Sequence, residues 1–367
     1  MKIVYPMLWQ NWNRERDAQA FVEDEMYLAE LAEDLGYDAV SSVEHHFDPE
    51  YSACPDQFLM FANLAARTKS IKLVTGACIL PWNDPLRVVE KYALLDRLAP
   101  GRIQVGFGRG LARIEYEGFG IPMDESRERF DEAAEMVLRG IRTGRVSGNG
   151  PFYPQPEVEV HPAPRPDLAD DLLSVAMSSD SALAAGELGA SLLAFTTKSP
   201  EGMLPLAQGY RDAYFRATGR IAPPEQFHDF SYLAPTTKEY EERGVLFLAR
   251  YYREVVRHYS FDGTHFANTK GYTAYAESAK EIREEGMDEA TRKYVEVQTM
   301  SGTPDQVIEK FRARAQVLGK VDIGVPAFFG GMPREEAERS MRLFSSEVMP
   351  EIRKIDAELP DRQAASA

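Results

Sequence analysis

Eight short β-prone runs, alternating with segments of helical periodicity, constrain this 367-residue chain more than any other feature. The runs are Lys2–Leu8, Asp38–Val43, Ile71–Leu80, Arg102–Phe107, Leu172–Met177, Ser191–Phe195, Phe230–Leu233 and Val321–Phe328. Between them the spacing predicts helices over 21–35, 57–67, 85–98, 124–141, 181–188, 202–217 and 238–258. One more opens at Thr303-Pro304, and the final helices span 334–359. Strands that alternate with helices pair in parallel through crossovers, and eight such units close a (β/α)8 barrel. Residues 1–359 are therefore expected to form a single barrel domain. Its insertions fall at about 111–170 and 261–299, and a small-residue tail over 360–367 is expected to be disordered.

Composition narrows the partners. A net charge of −16 disfavours nucleic acid and anionic membrane surfaces. No apolar window reaches the length of a membrane span, and the start lacks a secretory apolar region with a cleavage site. Two cysteines, Cys54 and Cys78, make neither a disulfide framework nor a metal pair, which points to a reducing, cytoplasmic setting.

Barrel chemistry sits at the carboxyl ends of the strands. The second run stops abruptly in Glu44-His45-His46-Phe47, in a chain with only six histidines. Imidazole suits proton transfer near neutral pH, so His45, with Glu44 and His46 beside it, is the catalytic candidate. Adjacent strand residues point to opposite faces and do not share one ion easily. With no HExxH or CxxC following, no metal site is expected. The fourth run ends in Gly106-Phe107-Gly108-Arg109-Gly110, where backbone can approach a ligand and a guanidinium can hold a phosphate. The fifth ends in Ser178-Ser179-Asp180-Ser181, which reads equally as an anion-binding helix start or as simple capping. Trp9, Phe47, Trp82, Phe107 and Phe119 fall near strand ends, as pocket lining or as core.

These residues, with Leu80-Pro81, Asp84-Pro85-Leu86-Arg87, Gly101-Arg102, Met123-Asp124-Glu125-Ser126-Arg127, Thr269-Lys270-Gly271-Tyr272, Gly302-Thr303-Pro304 and Phe344-Ser345-Ser346-Glu347-Val348-Met349-Pro350, carry a resemblance. Across nearly its whole length the chain resembles the bacterial luciferase-like flavin monooxygenases, nearest the luciferase α-subunit branch. The resemblance implies a (β/α)8 barrel that takes reduced FMN from a separate flavin reductase and uses O2 through a flavin C4a-peroxide. A small, largely apolar organic substrate would be oxygenated. It implies that His45 is the base near the flavin. Arg109, Arg127, Ser178, Ser179 and Ser181 would lie at the FMN phosphate, and Gly76-Ala77 would be joined by a cis peptide under the isoalloxazine. A homodimer, or a heterodimer with a related subunit, follows from the same likeness. The chain departs from the pattern at Gly108, where luciferase carries a reactive cysteine, and at Met177, where it carries a glutamate.

Two alternatives stay open at this point. One is hydride transfer by the deazaflavin F420 on the same fold, and the other is a non-catalytic flavin-binding partner subunit. The segment Phe261–Thr299, rich in charge and poor in large aliphatic residues, reads as a mobile lid with one charged helix near its middle.

Overall fold

A computed structural model describes residues 1–362. Eight parallel strands close on themselves: β1 (Ile3–Met7), β2 (Ala39–Ser42), β3 (Lys72–Thr75), β4 (Ile103–Gly108), β5 (Leu172–Val175), β6 (Ser191–Phe195), β7 (Gln226–His228) and β8 (Asp322–Gly324). Ile3 lies opposite Ile323, joining β1 to β8, and Leu73 lies opposite Ile103, joining β3 to β4, so no edge is left unpaired. Val4, Ala39, Val74, Leu173 and Leu193 pack together as one buried cluster from five strands, as a barrel that is filled rather than hollow requires.

Capping residues start most of the surrounding helices. Asp17 accepts from the Gln19 N–H ahead of α1 (Ala18–Asp34), Asp56 from Phe58 ahead of α2 (Gln57–Arg67), and Asp84 from Arg87 ahead of α3 (Pro85–Leu98). Then follow α4 (Ser126–Thr143), α5 (Ser179–Glu187), α6 (Pro200–Thr218) and α7 (Pro304–Leu318). The last, α8, runs Arg334–Leu343, passes through a π turn at Phe344–Val348 and continues as Met349–Glu358. Behind β7 the ring is fixed by a buried bidentate pair. Arg314 of α7 donates to both Asp229 oxygens, at 2.5 and 2.6 Å. Removing one member of such a pair strands a buried charge and costs about 3–5 kcal/mol.

Four expectations change. Strand seven is Gln226–His228, not Phe230–Leu233, which beyond a single bridge from Leu233 to Gly302 belongs to a loop. Gln226 and His228 are buried and hydrogen-bonded to each other at 2.6 Å, so the true strand lacks the apolar signature. The helix Val245–Tyr259 is not part of the outer ring, because α7 takes that place between α6 and α8. It lies instead across the carboxyl mouth, where its Tyr251 packs on Phe230 and Phe329, so the insertion after β7 begins before residue 261. The segment 261–299 holds two helices, Tyr275–Glu285 and Met287–Val297, and buries Phe266, Tyr272 and Ala279 against Phe261 and Tyr275. Within 111–170, the helix expected over 124–141 is present as α4, and the part after it, read as insertion without a strand, holds an antiparallel hairpin (Arg145–Gly148 with Gln155–Glu159).

At the end of the chain Arg362 donates to Pro223 O and to Glu225, so Pro360–Arg362 are tethered rather than free. The rest of the expected tail, 363–367, lies outside the described residues. Among the described residues no helix is long and apolar enough to cross a membrane.

Candidate active site

His45 stands just past the end of β2, and both of its ring nitrogens have partners. Nδ1 lies 2.9 Å from Glu115 Oε1, and since a carboxylate only accepts, Nδ1 carries the proton. Nε2 is then the basic nitrogen, 3.4 Å from the Tyr259 hydroxyl. Glu115, in the short helix Arg113–Gly118, is buried and also accepts the His46 N–H at 2.8 Å. Burial alone would raise its carboxyl pKa, but the His45 imidazole and the His46 N–H outweigh that and hold it below the usual value. It is therefore an ionised acceptor that fixes the tautomer and plane of His45.

Sequence order makes Glu44 the natural partner of His45, but the geometry gives that part to Glu115. Glu44 accepts from Trp82 Nε1 and Asn83 Nδ2, each at 2.8 Å, and from Ile79 N at 3.3 Å. It ties the strand end to the loop after β3. The His46 ring makes contacts different from those of His45. Its Nε2 is 3.4 Å from Glu44, and it meets Phe119 edge-on at 4.7 Å. Trp82 and Phe119 stack at 5.3 Å and, with the exposed Phe47, form an apolar wall beside it. Gly110, at φ 82°, lets Trp82 approach, since a Cβ there would come within 2.6 Å of the indole. Trp9 and Phe107 are buried in the core instead.

Three further groups around His45 are absent from the sequence reading. Tyr51 donates to Tyr259 at 3.1 Å and stacks on His258, ring centroids 4.0 Å apart. His258 Nδ1 lies 3.0 Å from Asp48 Oδ2, and Arg257 donates to Asp48 Oδ1 at 2.9 Å. Burial pushes the His258 imidazole below its ordinary value in spite of Asp48. Glu115 has no spacing signal to betray it. His258 has one, since it lies seven residues from Tyr251 on the buried face of its helix.

The Gly76–Ala77 peptide is cis, and Gln57 Nε2 donates to Ala77 O at 2.8 Å. Farther round the mouth, past the end of β4, Arg109 Nη2 donates to Gly271 O at 2.8 Å and its guanidinium lies 4.1 Å over the Tyr272 ring. Its Nη1 is buried with no acceptor. Gly271, at φ 79°, leaves this space, because a Cβ there would sit 2.6 Å from Nη1. Arg127, at the start of α4, is pushed below its usual pKa first by burial and then by the nearby Arg109 cation. Ser178 and Ser181 form a reciprocal capping box at the start of α5, their hydroxyls 2.9 Å apart. Ser179 and Asp180 open that helix beside them. Arg127 feels the charges of both Arg109 and Asp180, and the capping reading of the serines holds.

The family model for luciferase-like monooxygenases matches residues 1–320. The alkanal monooxygenase alpha chain of Aliivibrio fischeri is 33% identical over a match spanning 35% of this chain and 36% of that one. The alpha chain of the Kryptophanaron alfredi symbiont is 25% identical over 92% of this chain and 94% of that one. Among solved structures, the monooxygenase RslO1 from Streptomyces bottropensis superposes with a TM-score of 0.75 at 28% identity, covering 95% of this chain and 99% of that one. The oxygenating constituent of 3,6-diketocamphane monooxygenase from Pseudomonas putida, solved with FMN, gives a TM-score of 0.76. At 18% identity over 95% and 98% of the two chains, it speaks to the fold alone. With a family match over most of its length, the chain belongs to the luciferase-like monooxygenases.

Proposed function

We propose that the protein is a two-component monooxygenase that takes reduced FMN from a separate flavin reductase and inserts oxygen from O2 into a small, largely apolar organic molecule. The reading rests on Arg109 Nη1, a buried donor without an acceptor, near a second guanidinium at the start of a helix. Two cations held together call for an anion between them, and α5 offers its first N–H groups to the same ligand. The terminal phosphate of FMN fits that demand, with Arg109, Arg127, Ser178, Ser179 and Ser181 as its holders. Gly76-Ala77 would lie under the flavin ring. Bound there, the reduced flavin would supply the activation of O2.

The chain's own part is proton handling and exclusion of water. His45 Nε2, left with its lone pair free because Glu115 holds the proton on Nδ1, would move the proton that oxygen transfer requires, and Tyr259 is within reach to relay it. The aromatic wall of Phe47, Trp82 and Phe119 suits an apolar substrate. His45 and the arginine pair weigh against a non-catalytic partner subunit. A dimer is supported by exposed Leu94 and Leu98, one turn apart on α3, and by exposed Leu59 on the neighbouring α2. Two buried free cysteines accord with a cytoplasmic setting.

The test compares anaerobic binding of reduced FMN, reduced riboflavin and reduced F420. FMN should bind best, and Arg109→Ala should weaken it tenfold or more, to the riboflavin level, while leaving riboflavin unchanged. Tighter binding of F420, or equal losses for FMN and riboflavin, would overturn the reading.

A further inference from the structure

The His45 neighbourhood contains a set of ligands that proton transfer does not account for. His45, Glu115 and His258 each place one ligand atom in a group no wider than 4.8 Å, although they come from three separate segments. The Asp48 carboxylate only accepts, so His258 Nδ1 carries the proton and Nε2 keeps its lone pair. That Nε2 is buried and has no partner. A neutral imidazole, oriented through its other nitrogen by a carboxylate that is itself held by Arg257, is the arrangement in which histidine binds metals. A tetrahedral ion with ligands at about 2.0–2.2 Å holds them roughly 3.4 Å apart, so the side chains need shift by only about 1.4 Å at the widest gap. The His45 side chain is 14% exposed, which leaves an entry path.

We propose that His45, Glu115 and His258 form a binding site for a divalent cation of the zinc class, which enters in place of the proton shared by His45 Nδ1 and Glu115. The cation takes the Nδ1 lone pair and that one proton moves to Nε2, so no proton is released and the imidazole no longer has a basic nitrogen. Inhibition of oxygenation by zinc follows. That consequence rests on the proposed role of His45; the binding itself does not.

Cobalt(II) added to the flavin-free protein is the probe, read by its visible absorption. One equivalent should bind with a Kd of about 10 µM or tighter. His258→Gln and Glu115→Gln should each weaken it at least tenfold, and Asp48→Asn about tenfold. His161→Gln, at a histidine exposed on the surface, should change nothing. Zinc should also raise the melting temperature of the wild-type protein, a readout that no variant's folding can confuse. No cobalt spectrum in the wild type, or an unchanged one in His258→Gln, would overturn the site. Either result leaves the FMN reading standing, since no flavin is present, and a failure to bind reduced FMN would leave the cobalt result standing.

Discussion

The two carboxylates nearest His45 do different work, and substitution separates them. Glu115 orients the imidazole, whereas Glu44 collects the donors of Trp82, Asn83 and Ile79. His45→Ala should leave reduced-FMN affinity within a few-fold and lower product formation about a hundredfold, the usual scale for a general acid–base group. Glu44→Ala should instead lower stability by about 2–4 kcal/mol, read by thermal unfolding, because buried donors lose their acceptor. Equal product formation in His45→Ala would remove that residue from the chemistry. His45, Arg109 and the serines are legible in the sequence because each stands at a strand end. Glu115, Tyr51, Tyr259 and His258 are not, because they arrive from a short helix, a loop and a helix that crosses the mouth. No local pattern records which distant segment will come to cover a strand end.

Among the helices and strands, α1 is tied to β1 by an unusual group. Glu25 is fully buried, accepts the Trp9 N–H at 2.9 Å through Oε1, and leaves Oε2 without a partner. Burial raises its pKa to about 8. A carboxyl raised in the folded state contributes its stability in full below its unfolded value, near 4.5, and loses it as pH rises toward 8. Stability should therefore fall between about pH 5 and 8, by roughly 1.4 kcal/mol for each pH unit crossed. Glu25→Gln, which mimics the neutral acid and keeps the acceptor for Trp9, should flatten that slope. A slope unchanged in the variant would place its origin elsewhere.

The segment 261–299 offers a second test. Arg109 holds it through Gly271 O, so a ligand at the arginine pair bears directly on its mobility. Limited proteolysis should cut there first in the free protein, and reduced FMN with substrate should protect it. Cleavage at an unchanged rate with both bound would leave an ordinary surface segment. Charge and a lack of aliphatic residues dominate its sequence, and they hide the aromatic cluster of Phe261, Phe266, Tyr272 and Tyr275 that packs it. The bounds of α2 and α3, by contrast, are legible to the residue. Asp56 and Asp84 start them, Pro85 sets the first turn of α3, and apolar spacing carries them to their ends.

Across the molecule, periodicity suffices to show eight βα units and a closed barrel, and it misplaces strand seven where the barrel interior turns polar. The function proposed for that barrel requires that it hold reduced FMN and use it to activate oxygen. Anaerobic titration of the protein with reduced FMN, followed by admission of O2 and time-resolved absorbance, addresses both requirements at once. Binding should be stoichiometric. Oxygen should then give a spectrum distinct from oxidised FMN that persists for seconds or longer before decaying to it, and that decays faster in His45→Ala. Immediate reappearance of oxidised FMN with stoichiometric hydrogen peroxide, at the rate of the free flavin, would contradict the proposed function.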